Sequence, residues 1–365
     1  MNQQNKLSDE VFYNESSEDD SFENVIPPQD IFAFNETRSC ADLKRMYDKK
    51  QIDIKPPFQR ERVWKPADKT RFIDSLLKNL PIPSMCVSLD IKTNKRCVID
   101  GLQRISTIVE FLEAAEDSNN KDYILSDIDD VDSRLAGKSV KQIQQEYPEV
   151  ISDIENVSIP VTTLRCNLDK ENHMEYIFTI FYRLNTGGTK LNPQEIRNCI
   201  FSGEFNNMLL NCSNHNNSTI KEYLGENKRF SHEEFILRFF AFQDSDLDKN
   251  YTGRLTSFLN KYMDQNRKLD ELSILCKKKL FNRVISFIQA KSLEKISKIV
   301  FESILYGVAK NIDYLEGDVT DIEFNHKVKE LMMTQAFKTE ELQSGLFQRA
   351  KVLARLNKAN EVFGR

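Results

Sequence analysis

The sequence has little of what several classes of protein require. Its seven cysteines include no C-x-x-C pair and its four histidines are widely separated, so neither a disulfide framework nor a zinc site is indicated. No apolar run approaches the length of a membrane-spanning helix, and the N-terminus lacks the basic and apolar regions of a signal peptide. We therefore expect a cytoplasmic protein with reduced thiols and no membrane partner.

Charge is unevenly distributed along the chain. The formal net charge is -5, yet residues 9–23 contain seven acidic residues and no basic one, which predicts a disordered acidic tail over residues 1–28. Residues 41–110 contain instead fifteen Lys and Arg against nine Asp and Glu, a net of +6. This excess suits a polyanionic partner such as a nucleotide or DNA, although a solvated surface without a ligand explains it equally well.

The stretch from Val98 to Ile108 has the pattern of a strand, a tight turn and a helix. An apolar run ends at Asp100, the chain turns at Gly101, and apolar residues then recur at helical spacing. Backbone amides at a helix start favour an anion, glycine allows close approach, and Arg104 adds a planar charged fork. The alternative, with similar weight, is a structural corner in which Asp100 caps the helix and pairs with Arg104.

A second group of residues lies upstream of that turn. Pro56 and Pro57 keep the chain extended, and Gln59 and Arg60 follow them shortly before Trp64, the only tryptophan. An extended segment that carries donors and leads into a helix is suited to form a second wall of a phosphate pocket. The tryptophan is expected in the core rather than as a stacking platform for a base.

A third group lies past the middle of the chain. Helical spacing over residues 174–184 predicts a helix that ends in a loop containing Asn185, Gly187 and Gly188. Chain reversal explains the two glycines by itself, but it does not explain Arg183 and Asn185 beside them. The Asn-Pro-Gln-Glu sequence that follows predicts the start of another helix, with Asn as the cap.

In this order, the three groups resemble the N-terminal domain of the GmrSD-type modification-dependent restriction proteins. The matching motifs are Pro57-Phe58-Gln59-Arg60 with Val63-Trp64, Asp74-Ser75-Leu76-Leu77 with Pro81-Ile82-Pro83, Asp100-Gly101-Leu102-Gln103-Arg104, and Arg183-Leu184-Asn185-Thr186-Gly187-Gly188 with Leu191. The resemblance implies a ParB/sulfiredoxin-like fold of the α+β class. We expect a small mixed sheet with helices over residues 29–170 and a mostly helical domain over residues 171–365 that contributes the 183–188 loop to the site.

The resemblance also implies nucleotide chemistry. In such folds a Gly-x-x-Arg turn holds nucleotide phosphates, and relatives in anti-phage systems use Asp-Gly-Gln-Gln-Arg to hydrolyse nucleoside triphosphates with Mg²⁺. The implied catalytic residues are Asp100, which is also the metal ligand, Gln103, Arg104 and Gln59. The implied nucleotide-binding residues are Arg60, Gly101, Arg104, Ser106, Thr107, Arg183, Asn185, Gly187 and Gly188. The chain departs from the pattern at Leu102, where the first Gln is missing.

Three functions follow as hypotheses. The first is a domain of a DNA-restriction or anti-phage system that binds, and hydrolyses, nucleoside triphosphates. The second is a DNA-binding or nuclease subunit, although the separated histidines argue against a His-Asn-His metal nuclease in this chain and leave cleavage to a separate subunit. The third is a non-catalytic interaction protein with a degenerate pocket.

Overall fold

The computed structural model describes residues 12, 26–54, 64–116, 123–184, 191–291 and 293–365. The chain divides into two compact units, Ile26–Leu191 and Asn192–Arg365, and the second also includes Met1–Val25. The sequence analysis places this boundary after residue 170 instead. The predicted acidic tail, apart from residue 12 and residues 26–28, lies outside the described residues. Among the described helices, none combines the length and apolarity needed to cross a membrane.

The first unit is built on a five-stranded mixed sheet with the order β1-β5-β3-β4-β2. Its strands are β1 (Phe32–Ser39), β2 (Ile52–Asp53), β3 (Met85–Asp90), β4 (Arg96–Asp100) and β5 (Ser158–Cys166). Strands β3 and β4 are antiparallel, as the sequence predicts for a hairpin, whereas β5 runs parallel to β3 and β2 runs parallel to β4. The C-terminal end of β4 therefore lies at the same edge as the N-terminal ends of β3 and β5.

Six described helices of the first unit accompany the sheet, as expected for an α+β fold. They are α1 (Cys40–Asp48), α2 (Pro66–Leu77), α3 (Leu102–Glu116), α4 (Val140–Glu146), α5 (Pro148–Asn156) and α6 (Glu171–Leu184). One face of the sheet joins a core with α1, α2, α3, α4 and α5, in which Val87, Val98 and Val161 meet Ile105 and Ile108. Helix α6 packs against β4 and belongs to the first unit.

The second unit is helical throughout its described residues. Its helices are α7 (Pro193–Ile200), α8 (Glu204–His215), α9 (Asn217–Leu224), α10 (Ser231–Asp244), α11 (Leu247–Asn250), α12 (Leu255–Asn266), α13 (Glu271–Ala290), α14 (Lys298–Asp318), α15 (Asp321–Met333) and α16 (Arg349–Phe363), with 3-10 turns at Gln335–Phe337 and Thr339–Leu342. Helix α10 is apolar around most of its circumference and almost wholly buried, which makes it the central helix of this unit. The α+β fold class with a mostly helical C-terminal region is therefore confirmed.

Candidate functional site

The corner between β4 and α3 is built around a glycine. Gly101 has a φ of +94°, and a Cβ atom there would lie 2.8 Å from Cγ of Met85. Both the conformation and the space therefore require glycine. The first hydrogen bond of α3 runs from the amide of Ile105 to the carbonyl of Gly101, at 2.9 Å.

The first turn of α3 begins without a side-chain cap, because the residue before it is Gly101. Among the described residues, no acceptor lies on the amides of Leu102, Gln103 or Arg104. These are the amides that a helix leaves unsatisfied at its start, where the helix dipole also favours negative charge. The corner thus presents donors of the kind that bind a phosphate.

The guanidinium of Arg104 is already held by two acceptors. Its Nη2 donates to Oδ2 of Asp100 at 2.7 Å, and its Nη1 donates to the carbonyl of Pro83. The arginine side chain is 14% exposed, whereas the Asp100 side chain is 41% exposed. This is the local pairing that the structural alternative predicts. A phosphate that binds Arg104 must therefore displace Asp100 or share the guanidinium with it.

Gln103 links the start of α3 to the chain that precedes α2. Its Oε1 accepts a hydrogen bond from the amide of Trp64 at 3.0 Å. Its carbonyl accepts the hydroxyls of Ser106 and Thr107 at 3.1 and 2.7 Å. Thr107 is also fully buried, so its hydroxyl is not accessible to a ligand. This placement argues against the predicted nucleotide contact of Thr107, and the Ser106 hydroxyl is likewise engaged by its own helix.

The two other predicted groups are only partly described. Gln59 and Arg60 lie outside the described residues. The nearest described residues on either side are the buried Ile54 and Trp64. The tryptophan packs edge-on against Phe72, with ring centroids 5.3 Å apart, and contributes to the core as predicted. Both flanks of the undescribed segment thus lie beside β4 or the first turn of α3.

Helix α6 packs against β4, the strand that leads into the corner. At its start, the amide of Asn167 donates to Nδ1 of His173 and the amide of Leu168 donates to Asp90, at the C-terminal end of β3. Arg183 lies in the last turn of α6 and is exposed. The remaining residues of this group, Asn185, Gly187 and Gly188, lie outside the described residues.

Ion pairs engage about half of the basic side chains over residues 41–110. Seven of these Lys and Arg side chains pair with described carboxylates: Lys44, Arg45, Lys69, Arg71, Lys78, Lys92 and Arg104. A duplex-binding face needs side chains that are available to phosphates over a wide surface. The paired side chains do not form such a face.

The chemistry of the corner is that of a carboxylate and a guanidinium. Cys86 stands opposite Asp100 in the β3–β4 register, but burial raises the pKa of its thiol to about 12, so it is not a nucleophile at neutral pH. Among the described residues, no three His, Cys, Asp or Glu side chains are grouped as metal ligands. Asp100 alone fits Mg²⁺ only when phosphates supply further oxygen ligands. Sequence reasoning did not identify the Pro83 carbonyl as a partner of Arg104, although Pro83 belongs to the Pro-Ile-Pro motif that it singled out.

One of three comparisons with known proteins supports the resemblance seen in the motifs. The searches of curated proteins and of solved structures found no match. A family model described as the GmrSD restriction endonuclease, N-terminal domain, matches residues 43–202, which include the β4–α3 corner and α6. The resemblance of this part of the chain to the GmrSD N-terminal domain family is thereby confirmed.

Proposed function

We propose that this chain acts in DNA restriction or phage defence and that the β4–α3 corner binds the phosphates of a nucleoside triphosphate. The restriction context comes from the family that residues 43–202 match. The observation that carries the nucleotide assignment is the first turn of α3. It combines amide donors that have no acceptor among the described residues, a glycine with positive φ and the guanidinium of Arg104 within one turn of helix.

Asp100 pairs with the guanidinium of Arg104 that the phosphates would bind. A carboxylate and a phosphate bind the same donors of an arginine guanidinium, so Asp100 and a ligand phosphate compete for Arg104. Ion pairs between partly exposed groups contribute only about 0 to 1 kcal/mol, so a triphosphate that also contacts the helix amides outcompetes this one. The pairing therefore lowers the affinity of the corner for a phosphate only modestly and does not prevent binding.

Displacement of Asp100 also supports the proposed hydrolysis. Once displaced, the Asp100 carboxylate would remain close to the amides of the first turn of α3, where it could orient water or supply an oxygen ligand to the metal of a Mg²⁺ nucleotide. Arg104 neutralises charge on the phosphates. Gln59, Arg60 and Arg183 are proposed to complete the site, as the resemblance to the family implies.

A thermal-shift panel of nucleoside triphosphates with Mg²⁺ tests the proposal. A ligand that binds only the folded state raises its Tm, by about 5 °C or more at saturation. Arg104→Ala should abolish the shift while leaving the Tm of the free protein close to that of the wild type. Arg45→Ala is the matched control, because it also removes an arginine from a short-range ion pair but lies on α1. Its nucleotide-induced shift should equal that of the wild type.

Two results would contradict the proposal. One is a wild-type Tm that no nucleotide changes. The other is a shift that Arg104→Ala leaves intact. If duplex DNA alone raises the Tm, and does so less at high salt, the DNA-binding hypothesis replaces the nucleotide hypothesis.

A further inference from the structure

The helical unit contains an aromatic pocket around a buried arginine. Arg238 of α10 is 1% exposed, and the centre of its guanidinium lies 5.1 Å from the ring of Phe347 and 5.9 Å from that of Phe235. Its Nε lies 2.8 Å from Oε1 of Glu302, which is 5% exposed. Burial raises the pKa of this carboxyl. The pocket is thus a guanidinium with aromatic rings on its sides and a carboxyl below it.

Phe12 fills the remaining side of this pocket. Its ring centroid lies 4.0 Å from the Arg238 guanidinium and 5.7 Å from the ring of Phe347, and the residue is 4% exposed. A ring over a desolvated guanidinium gains cation–π attraction in addition to the burial of its apolar surface. Phe12 is therefore seated as a ligand in a pocket formed by α10, α14 and the turn before α16.

The sequence around Phe12 is that of a segment unable to form a core of its own. Residues 9–23 contain seven acidic residues and no basic one. A polar acidic segment of this kind buries too little apolar surface to fold alone. An aromatic residue within an acidic stretch is typical of a tethered recognition segment.

We propose that residues 1–25 are an intramolecular ligand of the helical unit, held reversibly through Phe12 in the pocket of Arg238 and Phe347. The tether keeps Phe12 at a high local concentration, so the pocket is mostly occupied in the isolated chain. A segment of the same chemistry, an aromatic residue within an acidic stretch, competes for the pocket only when Phe12 leaves it. The proposal is independent of the nucleotide site.

A peptide titration tests this directly. A fluorescein-labelled peptide of residues 1–25 is titrated with the full-length wild-type chain and with the full-length Phe12→Ala chain, and its fluorescence anisotropy is followed. The Phe12→Ala chain should bind the peptide at least about tenfold more tightly, because the wild-type chain must first release its own Phe12. Circular dichroism of the Phe12→Ala chain checks that its helical unit is folded.

The controls are variants of the peptide. A peptide with Phe12→Ala should lose binding to the Phe12→Ala chain, whereas a peptide with Phe22→Ala, which removes the other phenylalanine of the segment, should bind within about twofold of the parent. Equal binding of the parent peptide to both chains, absence of binding to the Phe12→Ala chain, or equal binding of the Phe12→Ala and parent peptides would overturn the proposal.

Discussion

The starts of α3 and α7 use similar residues in opposite ways. At α7, the side chain of Asn192 accepts the amide of Glu195 at 2.8 Å, and Glu195 accepts the amide of Asn192 at 2.7 Å. Arg229 then donates to Glu195 at 2.6 Å, so the acid, the arginine and the cap satisfy one another. At α3, Asp100 and Arg104 also pair, but a glycine stands at the cap and no described acceptor lies on the first amides.

The difference lies in what each helix start leaves for a ligand. The buried carboxylate of Glu195 closes the α7 start, which makes it a scaffold element. The α3 start keeps its donors, and its carboxylate is partly exposed and removable. An acid and an arginine near a helix start therefore do not by themselves indicate an anion site. The difference between these two starts lies in the cap residue, which is a glycine at α3 and an asparagine at α7.

The largest expected effect concerns the stability of the α7 start. Glu195→Ala removes the reciprocal cap and the partner of Arg229, and should lower the free energy of unfolding by about 3 kcal/mol. Urea denaturation measures this loss. The nucleotide-induced increase in Tm should remain as in the wild type, because α7 is not part of the proposed site. A stable Glu195→Ala protein that has lost its nucleotide response would reverse the assignment of the two helix starts.

Gly101→Ala comes next. Its Cβ meets Met85 and its φ is strained for alanine, so the free energy of unfolding should fall by about 2 kcal/mol. Gly317→Ala is the matched control, since a Cβ at that position of α14 meets nothing within 4 Å. There alanine should leave stability unchanged or raise it by up to about 1 kcal/mol. Equal losses for the two variants in urea denaturation would contradict the special geometry of the corner.

Asp100→Asn should separate binding from hydrolysis. In the absence of Mg²⁺, where Asp100 only competes for Arg104, a nucleoside triphosphate should bind severalfold more tightly to Asp100→Asn than to the wild type. Phosphate release should fall, because the amide neither activates water nor ligates a metal well. Calorimetric titration and a phosphate assay measure the two effects. Weaker binding in the presence of Mg²⁺ would show instead that Asp100 contributes to affinity as a metal ligand.

The smallest effect is expected at the residue that departs from the family pattern. Leu102→Gln introduces the residue that the resemblance implies at this position, and under the proposed function it should increase phosphate release severalfold, with little change in nucleotide affinity. Leu102 is only partly buried against the core, so the variant should fold. An unchanged rate would mean that the first Gln of the pattern does not limit hydrolysis in this chain.

Sequence reasoning predicted the local elements of the corner because each depends on neighbouring residues. The β3–β4 hairpin, the turn at Gly101 and the capping box at Asn192 follow from spacing and from the conformations that glycine, proline and asparagine favour. The packing of Trp64 against the core was also predicted, from the usual burial of a large aromatic side chain.

What the sequence did not predict depends on contacts between distant residues. The Pro83 carbonyl reaches Arg104 from 21 positions away, and the Trp64 amide reaches Gln103 from 39 positions away. The burial of Thr107 depends on which face of α3 meets the core. The helical spacing of Ile105 and Ile108 indicates that face, so this burial was predictable from the sequence although it was not predicted. The anchoring of Phe12 beside Arg238 joins residues 226 positions apart and leaves no periodic signal.

Hydrogen exchange at the two helix starts tests the central claim most directly. Exchange of the backbone amides is followed with and without a saturating Mg²⁺ nucleoside triphosphate. Ligand phosphates on the α3 amides should slow exchange at Leu102, Gln103 and Arg104 by about tenfold or more, while the capped start at Asn192 exchanges at the same rate in both conditions. Unchanged exchange at α3, in the presence of nucleotide that is bound elsewhere, would contradict the account.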